Sequence, residues 1–354
     1  MDLIPKKNMN TKVVLGVSGG VDSAIAAHIL LSQGYDVTGV YLYMQDSALE
    51  GIEDARAVCE HLNIPFILLE ARKFFAQRVI APFIEAYQRG ETPNPCVNCN
   101  ETVKFKLLLD EADRIGAQYV ATGHYAQIEH YERFLLKKGK DQSKDQSYML
   151  YRLKQDQLSR IIFPLGDITK QEVRIIARSI DLPVHQKKDS QDICFIPTGD
   201  HLGFLKEKIT LNQGYFIYED RVMGSHKGVE AYTLGQRRGL GISHSHPLYV
   251  HDIDPESSRV YLGKEEELFS KVVYAKDLNF IYQELSPGDE IELMGKIRYS
   301  QRAFLCKVQL IEEDLLMVHF DIAQRAPTPG QSLVLYKNDY IFGGGIIKKT
   351  SKKR

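Results

Sequence analysis

The chain has 354 residues, 44% of them hydrophobic and 26% charged, with a formal net charge of -1. That is enough chain for two or three domains, too apolar for a disordered protein, and too balanced in charge to attract nucleic acid through a global field, so any RNA partner must be met by local basic patches. The opening MDLIPKKNMN holds no signal-peptide run and no membrane-length apolar stretch follows, which gives the expectation of a cytoplasmic protein with no membrane partner.

Val13 to Val17 is a short apolar strand that runs into Ser18-Gly19-Gly20-Val21-Asp22-Ser23 and then into a helical pattern from Ala24 to Leu31. Adjacent glycines let bare N–H groups approach a ligand. Those donors, the hydroxyls of Ser18 and Ser23 and the positive end of the helix all favour a phosphate or pyrophosphate. The lysine that ends the usual NTPase loop is absent, so the loop suits a grip on the pyrophosphate released when ATP donates AMP, and Asp22 is placed to hold Mg2+ on it. GVSGGVDS resembles the pyrophosphate loop of the ATP pyrophosphatase superfamily, whose members adenylate an oxygen that a nucleophile then displaces as AMP.

Tyr35 to Tyr43 alternates as a second strand, Asp54 to Leu62 is a helix, and Phe66 to Leu69 is a third strand. Strands alternating with helices predict a doubly wound parallel α/β sheet with its ligand at the carboxyl ends of the strands, where the backbone of Leu42 would meet an adenine ring. Cys59, inside a helical pattern, reads as core. The stretch Thr92-Pro93-Asn94-Pro95-Cys96-Val97-Asn98-Cys99 precedes a predicted helix from Val103 to Asp113. A helix N-terminus would lower the pKa of Cys96 and Cys99, and a zinc knuckle lacks its second ligand pair. Thiolate or redox chemistry is the better reading.

Tyr119 to His124 is another strand, ending in Gly123-His124, where the glycine permits close approach of a nucleotide. Lys137 to Lys154 is rich in lysine, with a tandem KDQS, and suits sugar and phosphate contacts. Helices are expected at Gln155–Arg160 and Lys170–Ile180, the latter capped by Thr169. Lys187 and Lys188 precede Cys194 and would stabilise its thiolate if they fold over it. Gly224 to Ile242, with His226, Lys227, Arg237 and Arg238, reads as a small basic module for RNA backbone. From Val272 the runs are short strands ending in Tyr340–Ile347, a small β-barrel with Cys306 in its core, and the Lys348–Arg354 tail reads as disordered.

Taken together, GVSGGVDS, TPNPCVNCN, ATGHYA, KDQSYML, KDSQDICFIP, YTLGQRRGLGI and TPGQ resemble the tRNA-specific 2-thiouridylase family over nearly the whole chain. The resemblance implies three domains: 10–202, a Rossmann-like ATP pyrophosphatase domain for adenylation; 203–266, a small central tRNA-binding module; and 267–350, a C-terminal β-barrel. It implies formation of 2-thiouridine at the wobble position of tRNA, with ATP and Mg2+ adenylating uracil O2 and a cysteine persulfide delivering sulfur to C2. ATP would be bound by Gly16, Val17, Ser18, Gly19, Gly20, Val21, Asp22, Ser23, Leu42 and Gly123. Cys99 matches the nucleophile and Cys194 the persulfide carrier, charged by a sulfur-donor protein, either a cysteine desulfurase or a relay, and left joined to Cys99 in a disulfide after transfer.

By the same resemblance Asn94, Pro95 and Cys96 meet the target base. His124, Lys144, Asp145, Gln146, Arg298, Tyr299 and Gln331 meet tRNA. Cys96 replaces an aspartate proposed as acid/base in well-known members, which removes a carboxylate and adds a third thiol. Cys96, Cys99 and Cys194 therefore also offer three ligands for a [4Fe-4S] cluster, an alternative to the persulfide route. Other AMP-forming ligases of the superfamily need no cysteine pair, and an RNA-binding scaffold or iron-sulfur carrier would not release pyrophosphate.

Overall fold

The computed structural model describes residues 11–46, 49–187, 193–196 and 199–349. The N-terminal strands are β1 (Lys12–Gly16), β2 (Asp36–Tyr43), β3 (Phe66–Glu70), β4 (Tyr119–Thr122), β5 (Ala126–His130), β6 (Phe134–Lys138) and β7 (Ile161–Ile162). Four of these join β1 in a parallel sheet of order β3-β2-β1-β4-β7. The order reverses between β1 and β4, so the loops leaving those two strands diverge and open a crevice at the carboxyl edge. β1 is buried on both faces, which is why it reads as a continuous apolar run. Val13, Leu15 and Val17 pack with Ala24, Ile25, Ala27 and Leu30 of the helix Val21–Ser32, while Val14 points the other way, toward Phe105, Leu108 and Ala112.

The expected doubly wound sheet is thus present, with local differences. The second helix begins earlier than its periodicity suggests, at Leu49–His61. The segment 72–88, without a sequence assignment, is helical, passing from Arg72–Phe75 through a π-turn at Ala76–Ile80 into Ala81–Gln88. The cysteine segment is itself helical: Pro95–Cys99 leads through a second π-turn, Asn100–Lys104, into Phe105–Ile115.

The central module contains β8 (Gly214–Tyr218), β9 (Arg221–His226), β10 (Tyr249–Asp254) and β11 (Arg259–Gly263), ordered β10-β11-β8-β9 around Phe216, Val250 and Val260. The C-terminal strands are β12 (Phe269–Phe280), β13 (Glu290–Lys296), β14 (Phe304–Glu312), β15 (Leu315–Arg325), β16 (Ser332–Lys337) and β17 (Tyr340–Ile347). They pair as β12-β15-β14-β13-β16-β17, and β12 pairs again with β17, which closes the barrel and removes its edges. Cys59 and Cys306 are buried core residues, as their positions in apolar patterns imply. Among the described residues no helix is long and apolar enough to cross a membrane.

The barrel is welded to the first sheet. The β5–β6 hairpin extends it through β17, where Lys137 pairs with Tyr340. Tyr148, Tyr151, Val334, Tyr336 and Ile341 share one apolar cluster with Val14 and Phe105. Polar contacts finish the seam: Tyr148 OH donates to Ser332 O at 2.8 Å, and Asn279 Nδ2 donates to Tyr151 O at 2.7 Å and Leu153 O at 3.2 Å. Asn279→Ala leaves those carbonyls short of a donor and should cost about 1–3 kcal/mol. A denaturant midpoint equal to that of the parent protein would show that the seam does not depend on this side chain.

Candidate active site

The nucleotide end of the crevice is shaped by the chain leaving β1. Ser18 N–H donates to Ser23 Oγ at 3.1 Å and the Ser23 hydroxyl donates to Gly20 O at 3.0 Å, so the two serines brace the turn. Gly19 has φ of +70°, and a Cβ there would lie 2.5 Å from Gly51 O. Gly20 precedes the helix Val21–Ser32 without any side-chain cap, so the first helical N–H groups are left for an anion. At Gly123 a Cβ would stand 2.8 Å from Ser23 N and 2.9 Å from Asp22 C. The bare glycine lets the end of β4 close against the loop backbone, and only then does the crevice have a wall.

Asp22 accepts from Lys170 Nζ at 2.6 and 2.8 Å and from Tyr125 OH at 2.7 Å. A lysine missing from the loop is therefore brought in from 148 positions downstream. Lys170 opens the helix Lys170–Ser179, which Thr169 and Glu172 cap reciprocally. The sequence held a signal for it, since a cation in the first helical turn opposes the helix dipole. Lys187 is ion-paired to Asp54, beside Gly19. It is thus committed to the loop side and not, as expected, to Cys194; Lys188 lies outside the described residues, as do 189–192.

The thiols gather on the far side of the same edge. Gln45, just past β2, donates Nε2 to Cys194 O at 2.7 Å. Phe195 seats that segment with ring centroids 5.7 Å from Phe75 and 5.2 Å from Phe83, in the apolar cluster that contains Cys99. The fold thereby brings Cys99 and Cys194 together, with Cys96 one turn before Cys99 and electrostatically coupled to both. Cys99 is buried, whereas Cys96 and Cys194 are open to solvent.

Thiol acidity runs opposite to the sequence expectation. Asn94 Oδ1 accepts from Cys96 N at 3.2 Å and Val97 N at 3.4 Å, so the helix N-terminus is occupied by its own cap. Burial then dominates. It pushes the Cys99 thiol up to about 12 and raises Cys96 and Cys194, around whose sulfurs the protein is close despite their outer faces being open. Among the described residues no three His, Cys, Asp or Glu side chains converge as a ligand set. With Cys99 packed among phenyl rings, the three cysteines as placed do not fit a [4Fe-4S] cluster.

Comparison with known proteins gives the context. A family model described as tRNA methyl transferase HUP domain matches residues 11–198, one described as tRNA methyl transferase PRC-barrel domain matches 202–264, and one described as aminomethyltransferase beta-barrel domain matches 270–347. The chain is similar to tRNA-specific 2-thiouridylase MnmA 1 of Clostridium tetani, at 46% identity covering 97% of this chain and 98% of that one. It is 44% identical to the tRNA-specific 2-thiouridylase of Clostridioides difficile, covering 97% and 99% respectively. This chain belongs to the tRNA-specific 2-thiouridylase family.

Several of the positions that the thiouridylase motifs assign to the target base and tRNA lie at the junction of the three units. Thr92 N donates to Pro329 O at 2.8 Å, Gln331 Nε2 donates to Thr92 O at 2.8 Å, and Thr92 and Thr233 share a hydroxyl hydrogen bond at 3.2 Å. The Asn94-Pro95-Cys96 turn thus rests on both the barrel and the central module. Asp145 is buried, accepting from Gly139 N and Ser147 N, and its carbonyl accepts from Tyr299 OH at 2.9 Å. Gln146 Oε1 accepts from Tyr125 N. Arg298 donates to Ala326 O at 3.0 Å and Thr328 Oγ1 at 2.8 Å. These side chains shape the surface more than they extend from it.

His124 departs furthest from its expected role in tRNA contact. Its ring is buried between Phe105 and Phe163, bonded through Nδ1 to Thr122 Oγ1 at 2.7 Å, and desolvation holds its pKa well below the usual histidine value. It is a neutral core histidine. His226 is likewise buried, against Phe216 and Tyr232, so of the four basic residues named between Gly224 and Ile242 Lys227, Arg237 and Arg238 are exposed. Lys349, assigned to a disordered tail by sequence, pairs with Asp252 at 2.8 Å; 350–354 lie outside the described residues.

The thiol arrangement has a direct chemical readout. With its pKa near 12, Cys99 should be the slowest of the three to react with iodoacetamide at neutral pH, its rate climbing about tenfold per pH unit between about pH 8 and 10, because only the thiolate is nucleophilic. Peptide mass spectrometry resolves the sites. Cys99 labelling as fast as Cys96 and Cys194 near pH 7 would contradict the burial described.

Proposed function

We propose that this protein converts a wobble uridine of tRNA to 2-thiouridine at the expense of ATP. The observation that carries the reading is that the Ser18–Ser23 turn and the Cys99–Cys194 pair lie along one edge of one parallel sheet. A uracil carbonyl oxygen cannot depart as oxide, so it must first be made a leaving group. Attack of O2 on the α-phosphorus of ATP does this, and the uncapped N–H groups after Gly20 are oriented to receive the pyrophosphate. Asp22 is the carboxylate suited to a magnesium ion, which when bound would neutralise phosphate charge. Lys170, now paired to Asp22, can turn to the phosphates instead. Leu42 at the end of β2 and Gly123 at the end of β4 flank the place for the nucleoside.

Sulfur transfer follows from the positions of the thiols. Cys194 is exposed and can receive a sulfur atom from a donor protein, a cysteine desulfurase or relay. Its terminal persulfide sulfur attacks C2, AMP leaves with the C–O bonding pair, and the base is joined to Cys194 through S–S. Cys99 thiolate then attacks the Cys194 sulfur. The base leaves as 2-thiouridine, and the Cys99–Cys194 disulfide that remains needs an external dithiol for reduction. The buried Cys99 must be uncovered for this step, which fits movement of the short Cys194 segment when tRNA binds. In this scheme 10–202 carries the chemistry, 203–266 presents Lys227, Arg237 and Arg238 to RNA phosphates, and 267–350 supports the target-base turn.

The products distinguish this from terminal phosphoryl transfer. Purified protein with ATP and substrate tRNA should release AMP and pyrophosphate; release of ADP and inorganic phosphate would refute the reading. Asp22→Ala and Lys170→Met should each lower that rate by roughly 10²-fold, the scale for loss of one preorganised charge in an active site, with tRNA affinity kept.

A further inference from the structure

Cys194 is held in place by a side chain that the chemistry does not otherwise use. Its segment, 193–196, seats Phe195 and Ile196, 7% and 2% exposed, in the apolar cluster of Phe75, Phe83 and Cys99. The hydrogen bonds from Ile196 N to Ile193 O at 2.8 Å and from Gly199 N to Ile196 O at 3.0 Å stay within the segment and its own continuation. Among the described residues, the hydrogen bond that ties it to the parallel-sheet side is the one from Gln45 Nε2 to Cys194 O at 2.7 Å, across 149 positions of chain.

Gln45 is itself built to stay where it is. Met44 before it packs in two apolar clusters, with residues of the sheet and with those around Cys99. Asp46 after it accepts from Arg72 Nη1 at 2.5 Å and from Tyr43 OH at 3.2 Å. Arg72 in turn grips Glu70, at the end of β3, with Nε and Nη2 at 2.9 and 2.8 Å, and its guanidinium lies 4.3 Å from the Tyr43 ring centroid. A forked contact shared over several groups is the kind that gives an exposed ion pair some hold. The backbone on both sides of Gln45 is thereby fixed, and the bond to Cys194 is made from a rigid base.

We propose that Gln45 is a positioning residue for sulfur transfer: its amide holds the 193–196 segment against Cys99 and sets how often that thiol is uncovered. The purpose assigned to this bond rests on the sulfur-transfer reading. There Cys194 must stay open to a donor while Cys99 waits, and Cys99 must then be exposed to attack the Cys194 sulfur. Apolar contacts of Phe195 and Ile196 favour the closed arrangement without fixing where the Cys194 carbonyl points; a directional hydrogen bond fixes it. Such a bond is exchanged for one to water at small net cost, which suits a contact that opens once per turnover. Leu42, three positions before Gln45, flanks the place for the nucleoside in the same reading, so one peptide stretch borders both the nucleotide and the thiols.

The test uses full-length protein without ATP or tRNA, so its failure is distinct from failure of the sulfur-transfer reading. Site-resolved iodoacetamide alkylation at about pH 8 is read as the rate at Cys99 divided by the rate at Cys96, which is exposed in the resting structure; the ratio removes changes in local charge common to both sulfurs. Gln45→Leu deletes the amide donor, and Gln45→Glu replaces it with a carboxylate that only accepts. Each should raise the ratio about tenfold, the scale on which one lost hydrogen bond shifts a local opening equilibrium. Gln45→Arg, which keeps a donor, should stay near the parent ratio. Cys59 and Cys306, buried in other clusters, should label as slowly as before in every variant. A ratio unchanged in both the Leu and Glu variants, a rise in the Arg variant equal to theirs, or labelling of Cys59 and Cys306 that rises in step with Cys99 would overturn the assignment.

Discussion

The close contact of Gly123 with the backbone of Asp22 and Ser23 is the constraint on which the site depends. Two strands that neighbour each other in the sheet send their chains in opposite directions, and the gap between those exits becomes a crevice only if both stay close at the base. Gly123 has no side chain to hold them apart. The next residues then fall into place: His124 turns into the core, and Tyr125 reaches Asp22. Asp22 in turn collects Lys170, so a helix far along the chain is fixed relative to the loop by one half-buried ion pair.

The sulfur end is governed by desolvation. Phenyl rings of Phe75, Phe83 and Phe195 pack in one cluster with Cys99, and burial there pushes its thiol pKa up. The barrel takes part at a distance. Through Pro329 and Gln331 it holds the Thr92 turn, and through Asp277 it holds the arginine that occupies Glu101. A C-terminal barrel packed on a shared apolar cluster can therefore influence where a base would lie.

Much of this was legible in the sequence where the determinants were local. The strand, glycine turn and helix from Val13 to Leu31 announce themselves by apolar runs and by residue types with few other uses. Thr169 was readable as a cap because Glu172 answers it three residues later. The β5–β6 hairpin was not: its short strands owe their place to Tyr340, about 200 positions away, and its lysines read as part of a stretch for sugar and phosphate contacts. Lys170 escaped notice for the same reason, since it acts through space on Asp22, a group that local patterns do not connect to it. The expected acidity of Cys96 and Cys99 failed because a dipole argument from sequence could not see that Asn94 caps the helix or that aromatic rings bury the second thiol.

The central claim is that Cys99 and Cys194 act in succession on one sulfur atom. The most direct measurement is a single turnover with Cys194 persulfidated, ATP and substrate tRNA, quenched in acid and examined by nucleoside analysis and non-reducing peptide mapping. The account predicts 2-thiouridine and a Cys99–Cys194 disulfide in equal amounts, with neither from Cys194→Ser protein. Formation of 2-thiouridine without that disulfide, or by the serine variant, would contradict it.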